Sequence, residues 1–269
     1  MHGIAYDAVH DEVIVPVALA AAVLVFRGGA NGDEAPVRVI QGPHTKLNRP
    51  HTVAVDSRNG EIIVGDRSGR NILVYRRDAH GDVPPLRVIG GPKSGLLDIN
   101  GVAVDPVRNL LLAANSSQIG GQTGIFIFNR TDNGDVTPRA IIAGPKTGIL
   151  RPWQIAVDPE RGRIYVAAVN NDYHAPYRLD QPREGFQAPE DVPPSPWASD
   201  QVGFIGVWRI TDNGDVPPEA IIKGPASSLI HPAGVGINPK EGEVYATDSN
   251  RNGLFMYLLK ELFVGPREP

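Results

Sequence analysis

Two phrases recur along this chain at nearly constant spacing, and that constrains its folding more than any other feature. The first is an apolar-Ala-Val-Asp phrase: Gly3-Ile4-Ala5-Tyr6-Asp7, Thr52-Val53-Ala54-Val55-Asp56, Gly101-Val102-Ala103-Val104-Asp105 and Gln154-Ile155-Ala156-Val157-Asp158, with a fifth variant at Gly234-Val235-Gly236-Ile237-Asn238. The second is a Gly-Asp pair leading towards a Pro and an apolar strand, at Asp33, Asp82, Asp135 and Asp215. The opening aspartates recur at intervals of 49, 49 and 53 residues, and the first three Gly-Asp pairs at 49 and 53. Two independent markers sharing one period define a repeat whose single unit is too small to bury its own apolar face, so neighbouring units must stack.

The second unit shows what each repeat contains. Thr52–Asp56 alternates as a half-buried strand, and Asn59-Gly60 makes a tight turn into a second strand, Glu61–Val64. Ile72–Tyr75 is a third strand. His80-Gly81-Asp82 turns the chain towards a fourth, Leu86–Ile89, where Pro84 and Pro85 suit an outer edge. Four antiparallel strands per unit predict an all-β propeller of four-stranded blades. Five repeats are visible, and six blades in a longer parent is the alternative. Residues 1–269 read as a single domain. After Leu254–Leu258 in the fifth unit, only Glu261–Val264 offers a fourth strand, so closure by side-chain packing or by a partner or second chain completing the ring both remain open.

Composition matters for what it excludes. With 26 basic and 30 acidic residues the net charge is −4 and neither sign forms a long run, which speaks against nucleic acid. Zero cysteines exclude disulfides, thiol nucleophiles and thiolate metal ligands but leave the compartment open. The apolar stretch from Val13 to Phe26 aligns without gaps to Ile62–Tyr75, so it reads as strand, loop and strand. It is shorter than the roughly 20 residues of a spanning helix and contains Pro16, so no membrane span or signal peptide is read here. An exported location would require a leader removed before this numbering.

The second unit, Pro50-His51-Thr52-Val53-Ala54-Val55-Asp56 followed by Gly60–Arg67 and Asn71–Tyr75, resembles the NHL repeat, as does Pro232–Tyr257. The resemblance implies a propeller; enzymes and plain binding scaffolds share that fold. Two enzyme propellers are similar in narrower ways. Asn100-Gly101-Val102-Ala103 resembles a metal-binding phrase of the senescence-marker/gluconolactonase family, although two of that family's ligand places hold His2 and Trp153 here. Pro50-His51-Thr52 with Val64-Gly65-Asp66-Arg67 resembles a zinc-binding blade of the peptidyl-hydroxyglycine amidating lyases.

Candidate site residues come from places where the units differ. Entering the first strands are His2, His51, Asn100, Trp153 and Ala233, and the second strands end at Val17, Asp66, Asn115, Ala168 and Asp248. The blade topology puts both sets at one end of the central channel. His51, Asp66, Asp248 and His2 are candidate ligands for one divalent metal, calcium or zinc, because imidazole and carboxylate are the usual materials of such sites. The opposing expectation is that Asp66 and Asp248 fix turns by accepting backbone amides. Trp153, Asn100 and Asn115 are candidate ligand-binding residues. So are Tyr173, Tyr177 and Trp197, which lie in a proline- and aromatic-rich insertion (169–202) that stretches the fourth unit to 57 residues between markers, against 26 in the first two. Loops of that length are commonly lids or recognition elements.

Gly91-Pro92-Lys93-Ser94-Gly95 and Gly144-Pro145-Lys146-Thr147-Gly148 lack full phosphate-loop spacing, and Asp132-Asn133-Gly134-Asp135 reads as a turn rather than a calcium loop. Two functions follow from the sequence. The preferred one is a binding scaffold using the channel mouth and the insertion to recognise a protein, peptide or glycan. The alternative is a metal-dependent lactonase-like hydrolase or lyase with its site at the mouth.

Overall fold

The computed structural model describes residues 3–117, 121–169 and 203–264. His2, Tyr173, Tyr177, Trp197 and residues 170–202 of the insertion lie outside the described residues. Five antiparallel sheets form a β-propeller. The first is β1 (Ala5–Asp7), β2 (Glu12–Val17), β3 (Ala22–Arg27) and β4 (Arg38–Gln41); the second is β5 (Pro50–Asp56), β6 (Glu61–Asp66), β7 (Asn71–Arg76) and β8 (Arg87–Gly90). The third is β9 (Asp98–Asp105), β10 (Leu110–Ser116), β11 (Gly124–Asn129) and β12 (Ala140–Ile142); the fourth is β13 (Arg151–Asp158), β14 (Arg163–Val169), β15 (Gly203–Arg209) and β16 (Ala220–Lys223). The fifth has three strands, β17 (Pro232–Asn238), β18 (Glu243–Asp248) and β19 (Gly253–Leu258). The first strands of neighbouring blades pack side by side and so stand innermost.

The fifth blade gains no fourth strand from Glu261–Val264. Lys260–Leu262 instead forms a 3-10 turn that buries Leu262 and Phe263. Phe263 stacks on Tyr165 of the fourth blade with ring centroids 5.7 Å apart, and the Arg163 guanidinium donates to the Leu262 carbonyl. Side-chain burial against the neighbouring blade outweighs ladder pairing at the free edge of β19. The apolar Val13–Phe26 stretch forms β2, a 3-10 turn and β3. Among the described residues no helix is long and apolar enough to cross a membrane.

Each marker phrase has a physical job. The opening Asp caps the turn that follows its strand: Asp7 accepts the amides of Val9 and His10, Asp56 that of Asn59, Asp105 those of Val107 and Arg108, and Asp158 those of Glu160 and Arg161. All four are buried, and the cap satisfies amides that the hairpin turn leaves over.

Between blades, a Gly-Pro-x-(Ser/Thr) connector forms a 3-10 turn at Pro43–Thr45, Pro92–Ser94, Pro145–Thr147 and Pro225–Ser227. The hydroxyls of Thr45, Ser94, Thr147 and Ser227 each donate to the carbonyl of the leading glycine at 2.6–2.7 Å. Gly42, Gly91 and Gly144 have φ of 134°, 119° and 127°. A Cβ on any of them would also stand 2.4–2.6 Å from the nearest atom of Asp82, Asp135 or Asp215 of the following blade, so these positions need glycine twice over.

Apolar faces of successive blades interlock. Val23, Val25 and Ile40 meet Val53, Ile62 and Val64; Ile72, Val74 and Ile89 meet Val102, Leu111 and Phe128. Ile125, Ile127 and Ile142 meet Ile155, Val166 and Trp208, and Ile205 and Val207 meet Val244 and Ala246. Each third strand carries an aromatic opposite the second residue of its second strand: Phe26, Tyr75, Phe128, Trp208 and Tyr257. Where that aromatic is Tyr, its hydroxyl ties down a connector. Tyr75 donates to the Thr45 carbonyl at 2.5 Å and Tyr257 to that of Ser227 at 2.6 Å, and burial pushes the Tyr257 phenol up to about 12.

Candidate functional site

The start of each first strand pairs with the end of the second, as Pro50 does with Asp66 and Pro232 with Asp248, so both sets of candidate residues share one end of the disc. In four blades the pairing slips by one residue at that place. The irregularity falls between Pro50 and Thr52, between Ile99 and Gly101, between Pro152 and Ile155, and between Pro232 and Gly234. His51, Asn100, Trp153 and Ala233 therefore sit on a repeated β-bulge, which re-aims the side chain out of strict alternation. The re-aimed side chains turn inward: His51 is 4%, Asn100 1% and Trp153 7% exposed.

The carboxylates at the second-strand ends are committed to the backbone. Asp66 accepts the amides of Asn48, Arg49 and Gly69 at 2.6–3.0 Å. Asp248 accepts those of Ile230, His231, Asn250 and Arg251 at 2.7–3.0 Å. Asn115 occupies the same place in the third blade with mixed polarity. Its Oδ1 accepts the Leu97 amide and its Nδ2 donates to the carbonyls of Gly95 and Gln122. Asn100 donates to the Ser116 hydroxyl and the Pro152 carbonyl, and the Gln154 amide donates back to the Asn100 carbonyl. Among the described residues no three His, Asp or Glu side chains stand close enough together to hold a metal ion, and His2, the fourth candidate ligand, lies outside them. The Asp66 and Asp248 carboxylates each tie the connector entering their blade to the turn between the second and third strands.

Around Trp153 a cationic-aromatic cluster forms. The Arg151 guanidinium lies 4.9 Å above the indole, and the His231 ring is 5.4 Å from it at 55°. The His231 imidazole is held below its ordinary value of 6.5, chiefly by burial and then by Arg151, with Asp248 opposing. Unfolded, this His binds its proton near the ordinary value; folded, it stays neutral to lower pH. The unfolded chain thus binds more protons in that window, so stability falls as pH drops below about 6.5. Urea midpoints should decline between about pH 7.5 and about pH 5.5 in the natural chain and decline less in His231→Gln. Equal declines would remove His231 from the effect.

The same end of the disc carries exposed cations that the sequence scatters widely. Lys46, Arg49, Arg70, Lys93 and Lys146 are exposed and enter no ion pair among the described residues. The opposite end is laced with pairs, Glu12 bridging Arg38 and Arg77, and Glu61 bridging Arg87 and Arg130. Between the second and third blades a cleft of about 630 Å³ opens beside Arg70 and Lys93, floored by Leu96, Leu97 and Phe126 with Gln122 at its side. That volume lies within the range of ligand pockets.

The NHL repeat model matches residues 47–75, which cover β5, β6 and most of β7. No curated protein sequence matches the chain. Solved structures share its fold at low identity. A chain of a nidogen/laminin complex is 15% identical with a TM-score of 0.63, over 97% of this chain and 76% of that one. The WD40 β-propeller domain of Doa1 is 10% identical with a TM-score of 0.54, over 96% and 68%. A chain of the mitotic checkpoint complex is 10% identical with a TM-score of 0.59, over 95% of this chain, which spans 60% of its length. Fold, repeat register and family match agree: the described residues form a five-bladed β-propeller whose second blade matches the NHL repeat model.

Proposed function

We propose that this propeller is a protein-interaction scaffold whose strand-entrance end, with the fourth-blade insertion, takes an acidic, partly apolar peptide segment of a partner. One observation carries the reading. At this end the buried carboxylates are consumed by backbone amides, while the cations Arg70 and Lys93 stand unpaired beside an apolar cleft. Such a surface offers charge complementarity at its rim and burial at its floor, the usual division of labour at an interface. The fold is compatible with that role, since propellers commonly serve as interaction scaffolds.

A short fluorescent peptide alternating Glu and Leu is the probe. Its anisotropy should rise on adding the protein at low salt, and the affinity should fall with added salt. Arg70→Glu with Lys93→Glu should weaken it by about tenfold, since each exposed pair contributes up to about 1 kcal/mol. An alternating Gln-Leu peptide that bound equally well, or charge reversal without effect, would overturn the reading.

A further inference from the structure

Every four-stranded blade after the first receives its predecessor through the same three-point latch. In the second blade, His80 Nδ1 accepts the Val39 amide, Gly81 exchanges backbone bonds with Val39 and Gln41, and Asp82 accepts the His44 amide at 2.7 Å. In the third, Asn133 accepts from Val88, Gly134 bonds Val88 and Gly90, and Asp135 accepts from Lys93 at 2.7 Å. In the fourth, Asn213 accepts from Ile141, Gly214 bonds Ile141 and Ala143, and Asp215 accepts from Lys146 at 2.6 Å. The receiving half is (Asn/His)-Gly-Asp; the entering half is an outer strand followed by Gly-Pro-x-(Ser/Thr).

The first blade carries the receiving half intact, as Asn31-Gly32-Asp33, on the surface. Among the described residues no outer strand or connector engages it. The apolar faces tell the same story. Ile4 and Tyr6 are 65% and 57% exposed, whereas Val53, the residue equivalent to Ile4 in the second blade, is 5% exposed beneath the first. Across the ring, Leu254 and Met256 are 67% and 54% exposed, whereas their equivalents Ile72 and Val74 are fully buried by the third blade. A cleft of about 280 Å³ lies between the two ends, with Ile4 on one wall and Val235, Tyr245 and Leu254 on the other. The first and fifth blades thus present the two halves of one interface without covering each other.

We infer that the sector between the fifth and first blades docks one further blade of this repeat, carried by polypeptide outside residues 1–269. Its outer strand and Gly-Pro turn engage Asn31-Gly32-Asp33. The occupant's chemistry follows from the latch: an extended strand whose amides reach Asn31 and Gly32, then a turn whose amides reach Asp33. A second copy of this chain fits less well. Its connectors after β4, β8 and β12 are already latched, and the turn at Pro225–Ser227 leads into its own fifth blade, which stands where the first blade would have to dock.

The cysteine-free chain makes the test direct. Single thiols at Ile4→Cys and Leu254→Cys should react rapidly with a maleimide in the 269-residue protein. Fusing a copy of residues 98–148, the third repeat through its Gly-Pro turn, after Val264 should slow both labellings by about tenfold and raise the urea midpoint. Asp33→Ala should remove part of that gain in the fused protein and leave the 269-residue chain unchanged. Slow labelling of both thiols in a monomeric 269-residue chain would mean the faces already cover each other. Slow labelling in a dimer would name the second copy as occupant. A folded fusion with unchanged labelling, or Asp33→Ala acting equally in both proteins, would also overturn the inference.

Discussion

Asp66→Ala is expected to lower the unfolding free energy by about 3 kcal/mol, because it strands buried backbone amides that no other group replaces. The side chain is fully buried, and its two oxygens take up Asn48, Arg49 and Gly69, tying the connector from the first blade to the β6–β7 turn of the second. Asp66→Asn should recover little. The third blade does use an amide there, Asn115, but its loops offer the carbonyls of Gly95 and Gln122 to the Nδ2 group, whereas the second blade offers amides. An Nδ2 donor placed against those amides repels them. Urea unfolding followed by circular dichroism gives the number; an Asp66→Asn protein as stable as the natural chain would show that a single acceptor suffices.

Trp208→Ala should cost more, about 4 kcal/mol, through the cavity it leaves between the third and fourth blades. The indole is fully buried with the Ile125–Ile127 face of β11, stands over Gly206, and is tilted at 57° to Phe204 with centroids 6.5 Å apart. A Cβ at position 206 would lie 2.4 Å from the ring, so the glycine exists to admit it. Nε1 donates to the Val216 carbonyl at 3.2 Å, a bond Phe cannot make. Trp208→Phe should nevertheless recover most of the loss, since Phe128 fills the equivalent place in the third blade. Calorimetric melting of the two variants separates packing from the hydrogen bond. Equal losses in both would assign the cost to Nε1.

The strands and their order in each blade were readable because both markers sit at turns: the opening Asp is buried and caps the hairpin, and the Gly-Asp pair turns the chain towards the outer strand. The fates of the strand-entrance residues were not. A one-residue bulge buries His51, Asn100 and Trp153, and nothing in the residue types announces a bulge that alternation alone would place in the channel. Asp66 and Asp248 were found by position, but whether a carboxylate faces a metal or a connector depends on amides 17 or 18 residues away. The cations beside the cleft were invisible for another reason. Arg70 and Lys93 lie on different repeats' loops, so a search for runs of charge along the chain passes over them. The Gly-Asp pairs were recognised as punctuation, while their work as latches between blades depends on a partner roughly 40 to 70 residues away.

The uncovered first and fifth blades also change how this molecule comes apart. A closed ring must break two interfaces at once to release any blade, whereas an open series behaves as a linear array that frays from its ends. The first and fifth blades are each held by one interlocked face, and the second, third and fourth by two. Within residues 1–269 the blades held on both faces are therefore expected to persist longest, and the cleft beside Arg70 and Lys93 lies at one of their junctions, between the second and third blades.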